Sequence, residues 1–317
     1  MDHEVISLLQ CPDCSRGVLT LSLAQDEVVC ECCKHRFPCS RGRPVLLRHD
    51  NELFRMEDYL RVSSDATVKG KETWSRIVPS PSVNLSSSRI FRRLGRELNG
   101  MGRGVVLVVG GGKQRRWLDK VLNVGQSVRV VYTDIDADAD IDLFCDAHAL
   151  PFRNASFDAV VTTAVLEHVM YPERAAAEIV RVMKVGGWLY SELPFMQQVH
   201  EGAYDFTRYT LSGHRRLFNS FDVLDSGMVA GPGTALAWAV ENFFLAFASR
   251  SATRSLVKVG ARVLFGWIKY FDYVLAKRPE AMDGASCTYL LGRKVEGQIS
   301  DADIVAGYVG AKHVRHT

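Results

Sequence analysis

The sequence lacks the apolar run of roughly 18–20 residues that a membrane-spanning helix needs. Its first ten residues, MDHEVISLLQ, contain acids and no long apolar stretch, so they do not resemble a secretory signal. An excess of one charge sign is also missing, because 39 Lys and Arg face 36 Asp and Glu. A net charge of only +3 argues against nucleic acid as a partner. These absences argue against a secreted, membrane-spanning or purely structural protein and predict a cytoplasmic one.

Cysteine is scarce outside one short N-terminal segment, which holds six of the eight cysteines. There, two CxxC pairs are separated by a segment of hairpin length, a spacing that suits four thiolates around one tetrahedral zinc ion. Disulfides are the alternative, but they do not persist in the intracellular context that the sequence predicts. The predicted ligands are Cys11, Cys14, Cys30 and Cys33. Cys32 and Cys39 are spare candidates, and an alternative set of ligands that uses Cys32 stays open.

The residues around these cysteines carry a family resemblance. LLQCPDC at 8–14, FP at 37–38 and GRPVLL at 42–47 make residues 5–48 similar to the short zinc-ribbon proteins that activate tRNA and protein methyltransferases. The resemblance implies a ribbon that binds a methyltransferase and does no chemistry itself. Its zinc would be structural, since so small a segment cannot build its own core. We assign residues 1–48 to this domain and 49–103 to a linker with N-terminal helices.

From residue 104 a pattern of strand, turn and helix begins. The aliphatic run at 105–109 is typical of a buried parallel strand, and it ends in three glycines beginning at Gly110. The next predicted strand, residues 128–133, ends at Asp134, where a carboxylate can accept both ribose hydroxyls of a nucleoside. The third glycine of a dinucleotide fingerprint is missing, because position 115 is arginine. The pattern therefore indicates another nucleoside-containing cofactor.

Four further motifs decide which cofactor is expected. DAHALPF at 146–152, SFDAVV at 156–161, VLEHV at 165–169 and the glycine pair at 186–187 follow in order. With them, residues 104–225 closely resemble the class I S-adenosylmethionine-dependent methyltransferases. The resemblance implies an α/β fold with a Rossmann-like seven-stranded sheet and S-adenosyl-L-methionine as cofactor. We assign residues 104–317 to this domain, with a helical insertion at 231–283 between the last two strands.

The same resemblance implies a cofactor-binding role for nine residues. Gly110, Gly111 and Gly112 would lie under the methionine part of the cofactor, and Asp134 and Ile135 would lie at its ribose. Asp146 and Ala147 would lie at the adenine, and Thr163 and Ala164 beside the sulfonium. Two positions depart from the family pattern, since Val108 replaces an acid and Gln114 replaces the third family glycine. The crossover after Asp134 is also too short for a helix, which predicts a loop and a more open cleft.

The loop after the fifth predicted strand is rich in polar chemistry and should face the cleft. His168, His200 and Asp205 are candidate general bases for a hydroxyl acceptor. Similar H-x-x-x-x-D-[FY]-x-R-[FY]-[ST] segments occur in bacterial methyltransferases encoded with surface-polysaccharide pathways. Equally, His168 could cap the sheet edge, and Asp205 could form a structural ion pair with Arg208. The absence of an N-P-P-[YF] segment after the fourth strand, which marks many amine-methylating relatives, favours an oxygen acceptor.

About sixty residues separate the last two predicted strands. Apolar side chains recur on one helical side from residue 256 to 274, with basic residues between them. We expect a lid or dimer surface buried against the domain. Peripheral membrane contact through the 235–276 helices, at the inner face of the membrane, is the alternative.

These features predict a zinc-containing methyltransferase acting on an oxygen of a small molecule, a glycan or a lipid-linked sugar. An RNA or protein methyltransferase that uses the ribbon to bind its substrate is a second hypothesis. A non-catalytic nucleoside-binding scaffold is a third, suggested by the incomplete glycine motif. The sequence leaves the oligomeric state open.

Overall fold

An antiparallel ribbon forms the N-terminal part of the computed structural model, which describes residues 3–22, 26–61, 80–112 and 114–312. Helix α1 precedes the ribbon, α2 follows it, and the four strands pair in chain order. The bounds are α1 His3–Leu8, β1 Leu19–Ser22, β2 Glu27–Cys30, β3 Arg36–Ser40, β4 Arg43–Pro44 and α2 Met56–Arg61.

The predicted seven-stranded sheet is present, in the order β10-β11-β9-β8-β5-β6-β7. Strands β5 to β9 pair in parallel, whereas β11 runs antiparallel to both of its neighbours. The carboxyl ends of the parallel strands therefore share one edge of the sheet. The strand bounds are β5 Gly104–Val109, β6 Val128–Asp134, β7 Leu143–Phe144, β8 Phe157–Thr163, β9 Met183–Pro194, β10 Phe221–Ala230 and β11 Cys287–Lys294.

Helices cover both faces of the sheet and bury its aliphatic strands. They are α3 Ser87–Gly100, α4 Arg115–Leu122, α5 Pro172–Val182 and α6 Leu211–Leu217, with α10 Asp301–Ala306 near the C-terminus. The side chains of α3 at 90, 91, 94 and 98 are buried. Its N-terminus is capped by Asn84, whose side-chain oxygen accepts from the amides of Ser86 and Ser87.

The ribbon packs directly on the edge of this sheet. Val45 bridges Phe144 in parallel, and the Leu46 amide donates to the Phe144 carbonyl at 2.9 Å. On the other side, Leu9 bridges Phe152. Buried ribbon side chains thus continue the hydrophobic core of the sheet. The predicted loop after Asp134 is confirmed, but the expected open cleft is wrong, because the ribbon lies against the short strand β7.

The insertion between β10 and β11 is helical, as predicted. It comprises α7 Pro232–Leu245, α8 Ser251–Phe265, the 3₁₀ helix Gly266–Phe271, α9 Asp272–Leu275 and the 3₁₀ helix Pro279–Gly284. Buried Asp272 accepts three backbone amides from the start of α7 and so ties the two ends of the insertion together.

The insertion's apolar side is not buried against the domain as a lid would be, and its use as a dimer surface stays a prediction. Phe247 is 78% exposed, Leu256 74% and Trp267 56%, since the helices pack on one another through their opposite sides. Among the described residues, no helix has both the length and the apolar character needed to span a bilayer.

Candidate active site

The four predicted zinc ligands converge in the ribbon. The sulfur of Cys11 lies 3.7 Å from that of Cys33, and the sulfurs of Cys14 and Cys30 are also 3.7 Å apart. A tetrahedral zinc ion with bonds of about 2.3 Å places its sulfur ligands about 3.8 Å from one another, so the four residues fit zinc. Cys32 is exposed and lies outside the cluster, which resolves the register.

A pocket of about 730 Å³ opens at the carboxyl edge of the sheet, where β5, β6 and β8 end. This volume includes space that is open to solvent. Gly110 keeps the pocket open, because its φ is +71° and a Cβ there would lie 2.3 Å from Val165. Ala164, which also lines the pocket, likewise adopts a left-handed backbone with φ +52°. A side chain at Gly110 would therefore both strain the turn and fill the space where a ligand fits.

Two carboxylates lie beside this pocket, Asp134 at the end of β6 and Asp146 just after β7. Asp134 accepts from the amides of Ile135, Asp136 and Gly112. Asp146 is largely buried, which raises its pKa, but hydrogen bonds from the ring and amide of His148 outweigh burial and lower that pKa. A carboxylate offers about four acceptor positions, so each retains capacity for one donor from a ligand.

A segment assigned to the linker also lines the pocket. The side-chain amide of Asn51 donates to Asp146 at 2.9 Å, and Leu53 and Phe54 form part of the wall. The hydroxyl of Tyr59 donates to the Ile135 carbonyl at 2.6 Å. Sequence reasoning missed these residues because no periodicity or motif marks them. Pro79, also assigned to the linker, lies outside the described residues.

Hydrogen bonds connect this segment to the zinc cluster. Asp13, between two cysteine ligands, accepts from the His49 amide at 3.0 Å and from its ring nitrogen at 2.7 Å. His49 lies only two residues before Asn51. The turn from Cys11 to Cys14, which holds two of the zinc ligands, therefore helps to position Asn51, the residue that contacts Asp146.

Seven of the predicted cofactor and catalytic residues line the pocket: Gly110, Asp134, Ile135, Asp146, Ala147, Ala164 and His168. Gly111 and Gly112 instead face Val108 and Ala139, although Gly112 contributes its amide to Asp134. Thr163 is buried in β8. His200 and Asp205 stand behind the wall.

Two histidines lie at another part of the pocket wall, where His168 lines the pocket and His200 contacts His168. The Nε2 atoms of His168 and His200 are 3.1 Å apart, and Tyr204 and Phe206 complete this wall. Burial, followed by the nearby His200, lowers the pKa of His168 although its contact with the Tyr204 carbonyl opposes this. The His168 ring is therefore neutral near pH 7.

Asp205 forms the ion pair with Arg208 that was the alternative to a base. Its side chain is 1% exposed, and it accepts from Arg208 at 2.8 Å and from the His200 amide at 2.9 Å. The Arg208 guanidinium holds the pKa of Asp205 well below its usual range. Asp205 thus orients the loop and the His200 backbone, and its carboxylate is already engaged by these donors.

Comparisons with known proteins agree with this geometry. A family model described as a methyltransferase domain matches residues 107–191. A demethylmenaquinone methyltransferase of Renibacterium salmoninarum is 51% identical over 51 residues, which are 16% of this chain and 22% of that protein. A UPF0434 protein of Vibrio atlanticus is 33% identical over 58 residues, 18% of this chain and 97% of that protein. The chain belongs to the class I S-adenosylmethionine-dependent methyltransferases, with a UPF0434-family zinc ribbon.

One similar solved structure is a phosphoethanolamine N-methyltransferase of Haemonchus contortus in complex with S-adenosylhomocysteine. It has 14% identity and a TM-score of 0.41, over 70% of this chain and 57% of that one.

The pocket of the methyltransferase fits S-adenosylmethionine. Gly110 would lie under the methionine part, Asp134 would accept from the ribose at its remaining acceptor position, and Asp146 would accept from the adenine amine at its own. Val108, where the family has an acid, is fully buried in β5 and offers no polar group. When bound, the cofactor supplies a methyl carbon already activated by its sulfonium.

Loss of the ribbon zinc should weaken cofactor binding, because Asp13 then no longer holds His49 and Asn51 in place. We expect Cys14→Ser to abolish stoichiometric zinc and to raise the Kd for S-adenosylhomocysteine about tenfold, the effect of losing one hydrogen bond to a charged group. Metal analysis and titration calorimetry measure the two effects. Cys32→Ser is the matched control, and an unchanged Kd in Cys14→Ser would contradict the coupling.

A methyl group at Gly110 should close the pocket. Gly110→Ala is expected to lower the free energy of unfolding by about 1–2 kcal/mol through its left-handed backbone, and to raise the S-adenosylhomocysteine Kd more than about tenfold. Gly186→Ala is the control, since φ is +77° there but no atom lies within 4 Å of the added Cβ. Denaturant unfolding and calorimetry on both variants separate backbone strain from closure of the pocket. Equal Kd values for S-adenosylhomocysteine in the two variants would refute closure of the pocket.

Proposed function

We propose that this methyltransferase transfers a methyl group from S-adenosylmethionine to an oxygen of a small molecule, including a glycan or a lipid-linked sugar. The observation that carries the proposal is the neutral His168 ring at the wall of the cofactor pocket, backed by His200. A hydroxyl acceptor must lose its proton during transfer, and a neutral imidazole can accept it. Tyr204 and Phe206 would hold the acceptor in line with the methyl carbon.

Two further observations favour a small acceptor over RNA. The match to a demethylmenaquinone methyltransferase supports a small-molecule substrate. Helix α3 carries four arginines, Arg89, Arg92, Arg93 and Arg96, which an RNA could contact. Two of them, Arg89 and Arg93, already pair with Asp225. A face whose guanidinium groups are already paired contributes less to phosphate binding.

The proposal predicts the fate of a labelled methyl group. Incubation of S-adenosylmethionine carrying a labelled methyl with a bacterial metabolite and lipid extract should place label in base-stable ethers of small or lipid-linked molecules. His168→Gln should lower kcat by about 10²- to 10⁴-fold, the usual contribution of a general base, with the S-adenosylhomocysteine Kd nearly unchanged. Glu201→Gln, in the same loop but exposed, is the control. Label in RNA or protein would contradict the proposal.

We also propose that the insertion binds an anionic membrane surface, which would present a lipid-linked acceptor. Its exposed apolar side chains include Phe243, Phe247 and Trp267. Exposed basic residues accompany them, whereas the two acids of residues 241–278, Glu241 and Asp272, are buried. Two exposed acids, Glu280 and Asp283, lie at the end of the insertion. The surface of residues 241–278, which is apolar and basic and exposes no acid, complements anionic lipid.

Vesicle sedimentation tests this surface. The full chain should co-sediment with vesicles of phosphatidylglycerol and phosphatidylcholine at low salt, and less with phosphatidylcholine alone. Phe247→Ser should reduce the bound fraction several-fold, since it removes about 1.5–3 kcal/mol of buried apolar side chain. Val185→Ser, an exposed valine of β9 far from the insertion in sequence, is the control. Equal sedimentation of wild type with both vesicle types would refute the anionic membrane.

A further inference from the structure

Three possible metal-ligand atoms converge at the pocket wall, where His168 lines the cofactor pocket. The Nε2 atoms of His168 and His200 are 3.1 Å apart, and a carboxylate oxygen of Glu167 lies 3.7 Å from His168 Nε2. All three ligand atoms lie within 4.8 Å of one another. The cluster is separate from the zinc ribbon and is built from the turn after β8 and the loop after β9.

The partners of the other ring nitrogens fix the tautomers of both histidines. His168 Nδ1 lies 2.7 Å from the Tyr204 carbonyl oxygen. His200 Nδ1 lies 3.3 Å from the Gln198 carbonyl oxygen and 3.4 Å from the Asp205 carboxylate. Since these partners only accept, each Nδ1 carries the proton in the neutral ring. When both rings are neutral, their Nε2 lone pairs therefore face each other across 3.1 Å.

Glu167 brings a buried carboxyl group beside these lone pairs. Its side chain is 1% exposed, and among the described residues neither carboxylate oxygen has a hydrogen-bond partner. Burial raises its pKa to about 8, against smaller opposing effects of its own amide and of Arg208. A buried carboxylate without a donor is costly, and unpartnered acid groups in proteins commonly bind a cation.

We propose that Glu167, His168 and His200 form a binding site for a divalent transition-metal ion beside the cofactor pocket. Two imidazoles and one carboxylate with open positions are a typical ligand set for such an ion. Metal-binding histidines characteristically donate their other ring nitrogen to a carbonyl or carboxylate, as both rings do here. Bonds of about 2.1 Å at right angles separate two ligands by about 3.0 Å, close to the histidine spacing, and Glu167 needs to approach by about 1 Å.

The ion adds a catalytic group to the proposed methyl transfer to oxygen. Its role in catalysis rests on that proposed function, whereas the binding of the ion does not. An acceptor hydroxyl at an open position loses its proton to water more readily than a free hydroxyl. In the transfer the sulfur–methyl bond breaks, its electron pair stays on sulfur, and the oxygen–methyl bond forms. With the ion bound, the lone pairs of His168 and His200 coordinate it and are no longer available to accept the hydroxyl proton. The ion then activates the acceptor oxygen instead of the histidine.

Manganese titration of the full chain, loaded with ribbon zinc and free of cofactor and acceptor, tests the site. Mn²⁺ is the weakest ion of the first-row series, so it leaves zinc in the four-cysteine cluster. Electron paramagnetic resonance of free Mn²⁺ gives the bound fraction. We expect about one Mn²⁺ per chain in wild type and in Glu201→Gln, and at least a tenfold weaker Kd in Glu167→Gln and in His200→Gln.

Calorimetry with S-adenosylhomocysteine on each variant shows that the pocket is folded and tests the family cofactor separately from the metal. Wild-type protein that binds no Mn²⁺, or variants that bind it as tightly as wild type, would overturn the site. A large loss of S-adenosylhomocysteine affinity in Glu167→Gln with unchanged Mn²⁺ binding would do the same, because the carboxylate would then serve the cofactor's ammonium group. Metal binding without methyl transfer would leave the site intact and refute only the proposed reaction.

Discussion

The parallel pairing of β5 with β6 and β8 is the constraint on which the site depends. It brings the ends of three strands to one edge, so that Gly110, Asp134 and Ala164 surround one space although up to 54 residues separate them in sequence. Turns at such an edge must leave the sheet sharply without filling it, and left-handed backbone at Gly110 and Ala164 does this. The chemistry of the pocket is built around that opening.

The ribbon acts as part of the catalytic domain in this chain. Its backbone pairs with β7, its apolar side chains join the core of the sheet, and the segment after it supplies Asn51 and Phe54 to the pocket. A short crossover after Asp134 leaves an edge that would otherwise present unpaired backbone groups. The ribbon satisfies part of that edge, which gives a structural zinc cluster a direct connection to cofactor binding.

Polar groups without partners and apolar groups without cover are the two features that the fold itself does not explain. Glu167 is buried with no donor, between two histidines whose lone pairs converge. The insertion exposes aromatic and aliphatic side chains beside basic ones. Folding tolerates such features at a cost, and they are therefore the places where a ligand or a surface contributes the missing interactions.

The sequence was enough to predict a four-cysteine zinc site and the carboxylate at the end of the strand at Asp134, because these depend on residue spacing and on strand ends. The seven-stranded sheet and the carboxylate at Asp146 were implied by the resemblance to class I methyltransferases. Whether Cys32 or Cys33 completes the cluster depends on which sulfur the knuckle turns inward, and only the folded ribbon decided it. The same holds for Asn51 at the pocket, for Asp205 bound to Arg208, and for Glu167 beside the histidines. Each of these depends on side-chain direction and on contacts between distant segments, and the spacing of residues along the chain determines neither.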